Sequence, residues 1–206
     1  MAKVLVAFYS RDGSTEALAQ AVSEGAVEAG GTVRMRRARE VVDAATMATV
    51  PGWTEAAGRM NALYEAPGVE DVAWADAIVL GSPTRFGLLA SELKAFLDGL
   101  GGLWVQGKLA GKVGSAFTSS SSVHGGNEIN NLTMFVPMAH FGMIIVPPGY
   151  ADPVMFRAGT PYGASAVSYG ASKAPPTEQD LAAAQFQGRR VVQVARALAA
   201  QPAATA

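Results

Sequence analysis

Three short segments of the chain concentrate hydroxyls, glycines and a few charged or aromatic side chains. They are Ser10-Arg11-Asp12-Gly13-Ser14-Thr15, Gly81-Ser82-Pro83-Thr84-Arg85-Phe86-Gly87, and the stretch from Thr118 through Ser119, Ser120, Ser121, Ser122, Val123, His124 and Gly125 to Gly126. The first joins an apolar run to helical spacing, so its amides and hydroxyls are offered to an anion where the helix dipole is favourable. It lacks the Gly-Lys-Ser/Thr ending of a triphosphate loop and the Gly-x-Gly-x-x-Gly of a dinucleotide fold, which makes a monophosphate the better fit. A plain capped helix is the alternative, because these are also ordinary turn residues. The second segment sets backbone donors, a hydroxyl, a guanidinium and a ring at a strand end, as the edge of a flat heterocycle requires; its alternative is a Pro-Gly turn with Phe86 in the core. The third allows close backbone approach and several donors to ring carbonyls and nitrogens, or else is a surface loop.

Two further side chains carry open readings. Trp104, following Gly101-Gly102-Leu103, either stacks near a ligand or packs, in the core or against another subunit. His140 either donates as a neutral imidazole beside a ligand or is a satisfied histidine near a helix carboxyl end. Ser122 and His124 do not make a hydrolase, since neither lies in a Gly-x-Ser-x-Gly elbow and no orienting acid is evident.

The elements that must position these segments follow from hydrophobic spacing. Lys3 to Tyr9, Thr32 to Arg37, Ala77 to Leu80, Val113 to Phe117 and Met143 to Val146 read as five strands. Helical spacing covers Glu16 to Ala29, Ala90 to Leu97, Asn127 to Phe141 with a kink or break expected at Pro137, and a final helix to about Ala200 behind the capping box at Thr177 to Asp180. Glu40 to Val72 is irregular with short helices, a long loop precedes Pro176, and Gln201 to Ala206 reads as a frayed tail. Strands alternating with helices imply an α/β, doubly wound, five-stranded parallel sheet with helices on both faces. In the flavodoxin-like strand order the crevice lies beyond the strand carboxyl ends, so the loops after strands one, three and four converge there.

Composition bounds the function. The 206 residues suit a single domain spanning 1–206, and 50% apolar with 16% charged residues is ordinary for a globular chain. Met134 to Val146 is too short and too interrupted to span a bilayer, so no membrane partner is expected. Strand-like sequence directly after Met1 leaves no room for a signal peptide, and 0 cysteines exclude thiol redox chemistry and a zinc-finger set, so a cytoplasmic location and no metal site are expected. A net charge of −1 supplies no general attraction for nucleic acid. Arg34, Arg36, Arg37 and Arg39 form a local basic cluster, read as solvated surface, with a site for a second cofactor's phosphate or an acidic patch on another subunit as the alternative.

Together the opening Met-Ala-Lys-Val-Leu-Val, Ser10 with Gly13, Pro83-Thr84-Arg85-Phe86-Gly87, Gly101-Gly102-Leu103-Trp104, Ala139-His140 with Gly142-Met143, and Pro161-Tyr162-Gly163-Ala164 resemble the WrbA family. The resemblance covers most of the chain. It implies an FMN-dependent NAD(P)H:quinone oxidoreductase, commonly a homotetramer, that uses NADH or NADPH as donor and small quinones as acceptors. It further implies that Ser10 to Thr15 hold the FMN phosphate, that Pro83 to Phe86 and Ser119 to Gly125 meet the flavin, that His140 lines the flavin pocket, and that Trp104 is the substrate-side aromatic. Asp12-Gly13-Ser14 stands where the family usually has Tyr-Gly-His, the loop Ser119 to Gly126 is slightly longer than in some members, and the dinucleotide contact implied at Asp12 falls on a changed residue. A flavodoxin-type electron carrier is the alternative from another class, and near-neutral charge counts against it because a charged face steers such a carrier to its partner. A flavin-free regulatory module is the third reading.

Overall fold

The computed structural model describes residues 1–200; the tail from Gln201 to Ala206 lies outside the described residues. The elements in chain order are β1 (Lys3–Phe8), α1 (Ser14–Glu28), β2 (Thr32–Arg37), α2 (Ala44–Ala48), α3 (Trp53–Leu63), α4 (Val69–Trp74), β3 (Ala77–Pro83), α5 (Ser91–Asp98), α6 (Gly101–Val105), β4 (Val113–Ser120), α7 (Asn127–His140), β5 (Ile144–Ile145), β6 (Ser165–Val167) and α8 (Glu178–Ala199). Every strand pairing is parallel, in the order β2-β1-β3-β4-β5, with β6 also on β4. This is the doubly wound α/β sheet that the spacing of strands and helices predicts.

Side chains alternate across the strands, as the period of two requires. Val4, Val6, Phe8, Val79 and Phe117 pack beneath α1 and α8 with Leu18, Val22, Val191 and Val192. Leu5, Ala7, Ile78, Leu80 and Ala116 face the other way, against Val72, Leu93, Leu97, Met134 and Met138. Both faces of the sheet are thus covered by helices. On the first face α1 and α8 approach until a β-carbon placed on Gly188 would lie 2.0 Å from the Val22 carbonyl oxygen. α8 opens with the expected reciprocal cap, Asp180 amide to Thr177 hydroxyl and Thr177 amide to Asp180 carboxylate.

The five predicted strands form the continuous path of the sheet, and a sixth, β6, joins it because β5 is only two residues long and pairs with Val113 and Gly114, leaving the far half of β4 open. Three expectations are corrected. With β6 in place Thr118, Ser119 and Ser120 belong to the strand: Thr118 pairs with Ser165, and Ser120 with Val167. The break expected at Pro137 is absent: α7 is continuous through it, because Pro137 sits in the final turn where only one intrahelical donor is lost. The basic cluster is not a solvated face. Arg34 and Arg36 both bind the buried Asp71, Arg36 also reaches Glu65, Arg39 is held by Asn61 and the Tyr64 carbonyl, and Arg37 is wholly buried. Among the described residues no helix is long and apolar enough to cross a membrane.

Candidate functional site

The carboxyl ends of β1, β3 and β4 bring the three unusual loops together, as the sheet order requires. After β1 the chain is tied to its neighbour by the Tyr9 amide on the Gly81 carbonyl, and the Ser10 hydroxyl accepts from the Gly13 amide at 3.1 Å. Gly13 sits at φ +112°, a conformation that side chains disfavour, and no side chain caps α1. The amides of its first turn are therefore left to an outside acceptor. Thr15 shares a 2.8 Å hydrogen bond with Ser119 Oγ, which joins the first loop to β4. Asp12 is exposed at the cavity's rim, while Glu16, buried in the same turn, is neutralised by Arg59 and accepts from the Tyr64 hydroxyl.

The loop after β3 is pinned to the third loop. The Thr84 amide donates to the Ser119 carbonyl, and the Thr84 hydroxyl donates to the Gly125 carbonyl at 3.0 Å while accepting from the Gly87 amide at 3.1 Å. A tight turn links Arg85 to Leu88 and throws Phe86 outward at φ 55°, fully exposed. The alternative in which Phe86 folds into the core is excluded. In the third loop the Ser120 hydroxyl donates to the Ser122 carbonyl, as does the Gly125 amide, so the chain curls back on itself, with Ser122, Val123 and His124 at the surface.

These loops enclose a cavity of about 210 Å³, lined from the first by Arg11, Asp12 and Ser14, from the second by Pro83, Thr84 and Arg85, and from the end of β4 and the loop beyond it by Ser119, Ser120 and Ser121. Ser168, just past β6, completes the wall and was not foreseen; it follows a strand of three small residues that leaves no periodic signal. The Arg11 guanidinium lies 3.9 Å over the Trp53 ring. Burial, and then the charge of Arg11, lower the pKa of Arg85. Neither guanidinium has an ion-pair partner among the described residues, so two positive groups meet at an uncapped helix start. That is an electrostatic setting for an anion. Tyr9 beneath them stays neutral, its hydroxyl pushed up to about 12 by burial and then by Glu92.

The cavity is smaller than the roughly 300–1,000 Å³ of sites that enclose drug-sized ligands. Its volume is on the scale of a phosphate and a short chain, and Phe86, fully exposed, follows directly on Arg85 of its wall.

By resemblance His140 is expected at these loops and Trp104 at a substrate side that another subunit completes in a tetramer; within one chain the structure sets both apart from the cavity. His140 ends α7, about 20 Å by helical rise from Asn127, which adjoins the third loop. It does not line its own chain's cavity. Its carbonyl accepts from Trp104 Nε1 at 3.0 Å, and both residues border a shallow apolar groove with Leu97, Val136, Pro137 and Phe141 at the opposite edge of the sheet. Trp104 is half exposed, which removes the reading as core packing.

Comparison with known proteins gives concordant findings. The family described as NADPH-dependent FMN reductase matches residues 3–153. The chain is 42% identical to a protein named NAD(P)H dehydrogenase (quinone) from Bradyrhizobium sp. (strain ORS 278), covering 96% of this chain and 99% of the relative. It is 43% identical to NAD(P)H dehydrogenase (quinone) 3 from Rhizobium meliloti, covering 96% and 94%. Among solved structures, a flavodoxin, WrbA-like protein from Agrobacterium tumefaciens superposes with a TM-score of 0.67 at 24% identity, covering 96% of this chain and 99% of that one. An archaeal flavodoxin gives 0.61 at 19% identity, covering 94% and 99%. The two structural likenesses bear on the fold.

Proposed function

We propose, from the premise that this chain belongs to the NADPH-dependent FMN reductase family, that it reduces small quinones to hydroquinones with NADH or NADPH as donor. The observation that carries this reading is the meeting of three loops, an uncapped helix and two unpaired guanidiniums at one polar cavity. FMN, when bound, would supply the chemistry: acceptance of a hydride from NAD(P)H and delivery of its two electrons to the quinone, one of the hydroquinone's protons coming with the hydride and the other from solvent. The residues fit that group. Ser10 to Thr15 would hold its phosphate through amides and hydroxyls, Arg11 would add charge, and Arg85 would offset the carboxylate of Asp12 at the rim. Pro83 to Phe86 and Ser119 to Gly125 border the ring system, with Thr84 locking the two loops together. No side-chain nucleophile takes part.

The same reading makes the chain one domain over 1–206 in a cytoplasmic homotetramer. Assembly is supported by the exposed apolar stripe Ile129, Leu132 and Val136 along α7, and by Phe86 at one end of it. The groove bearing Trp104 and His140 lies at the other end, so these two side chains serve the cavity of another copy. Mixing tests this. Gly13→Val spoils the phosphate loop and Trp104→Ala spoils the aromatic wall, the latter raising the quinone KM about three- to tenfold from lost stacking. Hybrid oligomers of the two variants should exceed the mean of the parent variants in activity, whereas activity equal to that mean would mean self-contained sites.

Nicotinamide and quinone would use one site in turn, since the three loops converge on a single cavity that would hold the flavin. Anaerobic NADPH should bleach the visible absorption of the flavin-loaded protein, and benzoquinone should restore it. Double-reciprocal plots for NADPH at several benzoquinone concentrations should be parallel. Converging lines would reject the shared site, and failure of NADPH to bleach the protein at a rate matching turnover would reject the oxidoreductase reading.

A further inference from the structure

The phosphate-facing loop is gripped from behind by an arginine that sees no solvent. Arg37 ends β2 and is 0% exposed, although a buried guanidinium is costly unless its donors are used. Nη2 donates to the Ser10 carbonyl at 2.9 Å and to the Glu40 carboxylate. Nη1 donates to the other Glu40 oxygen at 3.2 Å and to Asn61 Oδ1 at 2.6 Å. The Glu40 carboxyl is held below its usual range, since burial pushes it up but the hydrogen bond and charge of Arg37 outweigh that. Buried ion pairs add little net stability compared with apolar side chains of similar volume, so this one is explained by what it orients.

It orients the peptide between Ser10 and Arg11. That unit is planar and trans, so its carbonyl and its amide N–H point in opposite directions. Holding the Ser10 carbonyl on Arg37 turns the Arg11 amide away from β2, where it has no acceptor among the described residues. α3 reinforces the grip at two further points: Asn61 fixes Arg37, and Trp53 carries the Arg11 guanidinium.

We propose that Arg37 is a positioning residue which, through the Ser10 carbonyl, sets the amides of the phosphate loop and so the preference for a phosphorylated over an unphosphorylated flavin. The proposal rests on the reading of Ser10 to Thr15 as the FMN phosphate cradle. Fluorescence titration of the flavin-stripped full chain with FMN and with riboflavin separates the two claims. The parent must first prefer FMN; equal affinities there would remove the cradle, and this inference with it, before any variant is made. In Arg37→Met the FMN Kd should then rise at least about tenfold, the scale of one charge-assisted hydrogen bond, with the riboflavin Kd unchanged. A merely structural arginine would raise both Kd values together as the thermal midpoint falls, and that result would overturn the proposal. Should Arg37→Met not fold, Glu40→Gln leaves the arginine in place but loosens it. A smaller loss confined to FMN is expected, and an unchanged FMN-to-riboflavin ratio would count against the assignment.

Discussion

Replacing Gly13 by valine is expected to cost at least about a hundredfold in FMN affinity, from the loss of charge-assisted hydrogen bonds at the loop. The reason is conformational. Gly13 adopts φ +112°, and a β-carbon there would meet nothing nearer than Glu16 Oε2 at 3.8 Å, so space is not the obstacle. A β-branched residue strongly disfavours this backbone region, at about 1–3 kcal/mol, and the loop relieves the strain by moving. Movement breaks the Gly13 amide bond to Ser10 Oγ and rotates the uncapped amides of α1 away from their common focus. Riboflavin affinity should change far less, because it has no phosphate to lose. Equilibrium dialysis of both flavins against the variant checks this; undiminished FMN binding would show that the phosphate lies elsewhere.

The second large effect concerns stability alone. Gly-to-Ala in a helix interior is ordinarily favourable by roughly 0.5–1 kcal/mol, yet at Gly188 the sign should reverse. The added carbon would stand 2.0 Å from the Val22 carbonyl oxygen and 2.9 Å from the Ala26 amide nitrogen, both main-chain atoms of α1 that no rotamer change can move. The helices must separate, opening the contact over Val191, Val192 and Leu18. A loss of about 3 kcal/mol or more is expected, at or above the usual range for overpacking. Urea unfolding measures it, and a midpoint equal to or above the parent's would contradict the close helix approach.

How much of this was legible in the sequence depended on how local the cause was. β1, the phosphate loop and α1 form one contiguous signal, an apolar run, turn residues and helical spacing, and they stand within two residues of where that signal puts them. Loop residues at the ends of β3 and β4 were legible for the same reason, since strand order alone brings them together. β6 was not. Ser165–Val167 is three residues long and owes its strand form to the unpaired half of β4, a partner far away in sequence. Arg37 read as surface because arginines seldom bury fully, and only Glu40, Asn61 and the Ser10 carbonyl in three dimensions take up its two Nη groups. His140 was read beside the cavity by resemblance; the length of α7 puts it at the other end of the sheet.

The pairing of β6 with β4 also dictates an order of assembly. β1 and β2 are joined through a single helix and gain six rungs on closing, whereas the link between Ser168 and Ser120 spans 48 positions and closes only three rungs. Closing this longer loop costs more chain entropy and returns fewer rungs than pairing β1 with β2, so this edge is expected to close after that pair. Ser120 and Ser168 both belong to the cavity wall. A cavity wall that waits on this pairing would tie the loading of a cofactor to a step later than the closing of β1 on β2, so loading would report on more of the fold than its first strand pair.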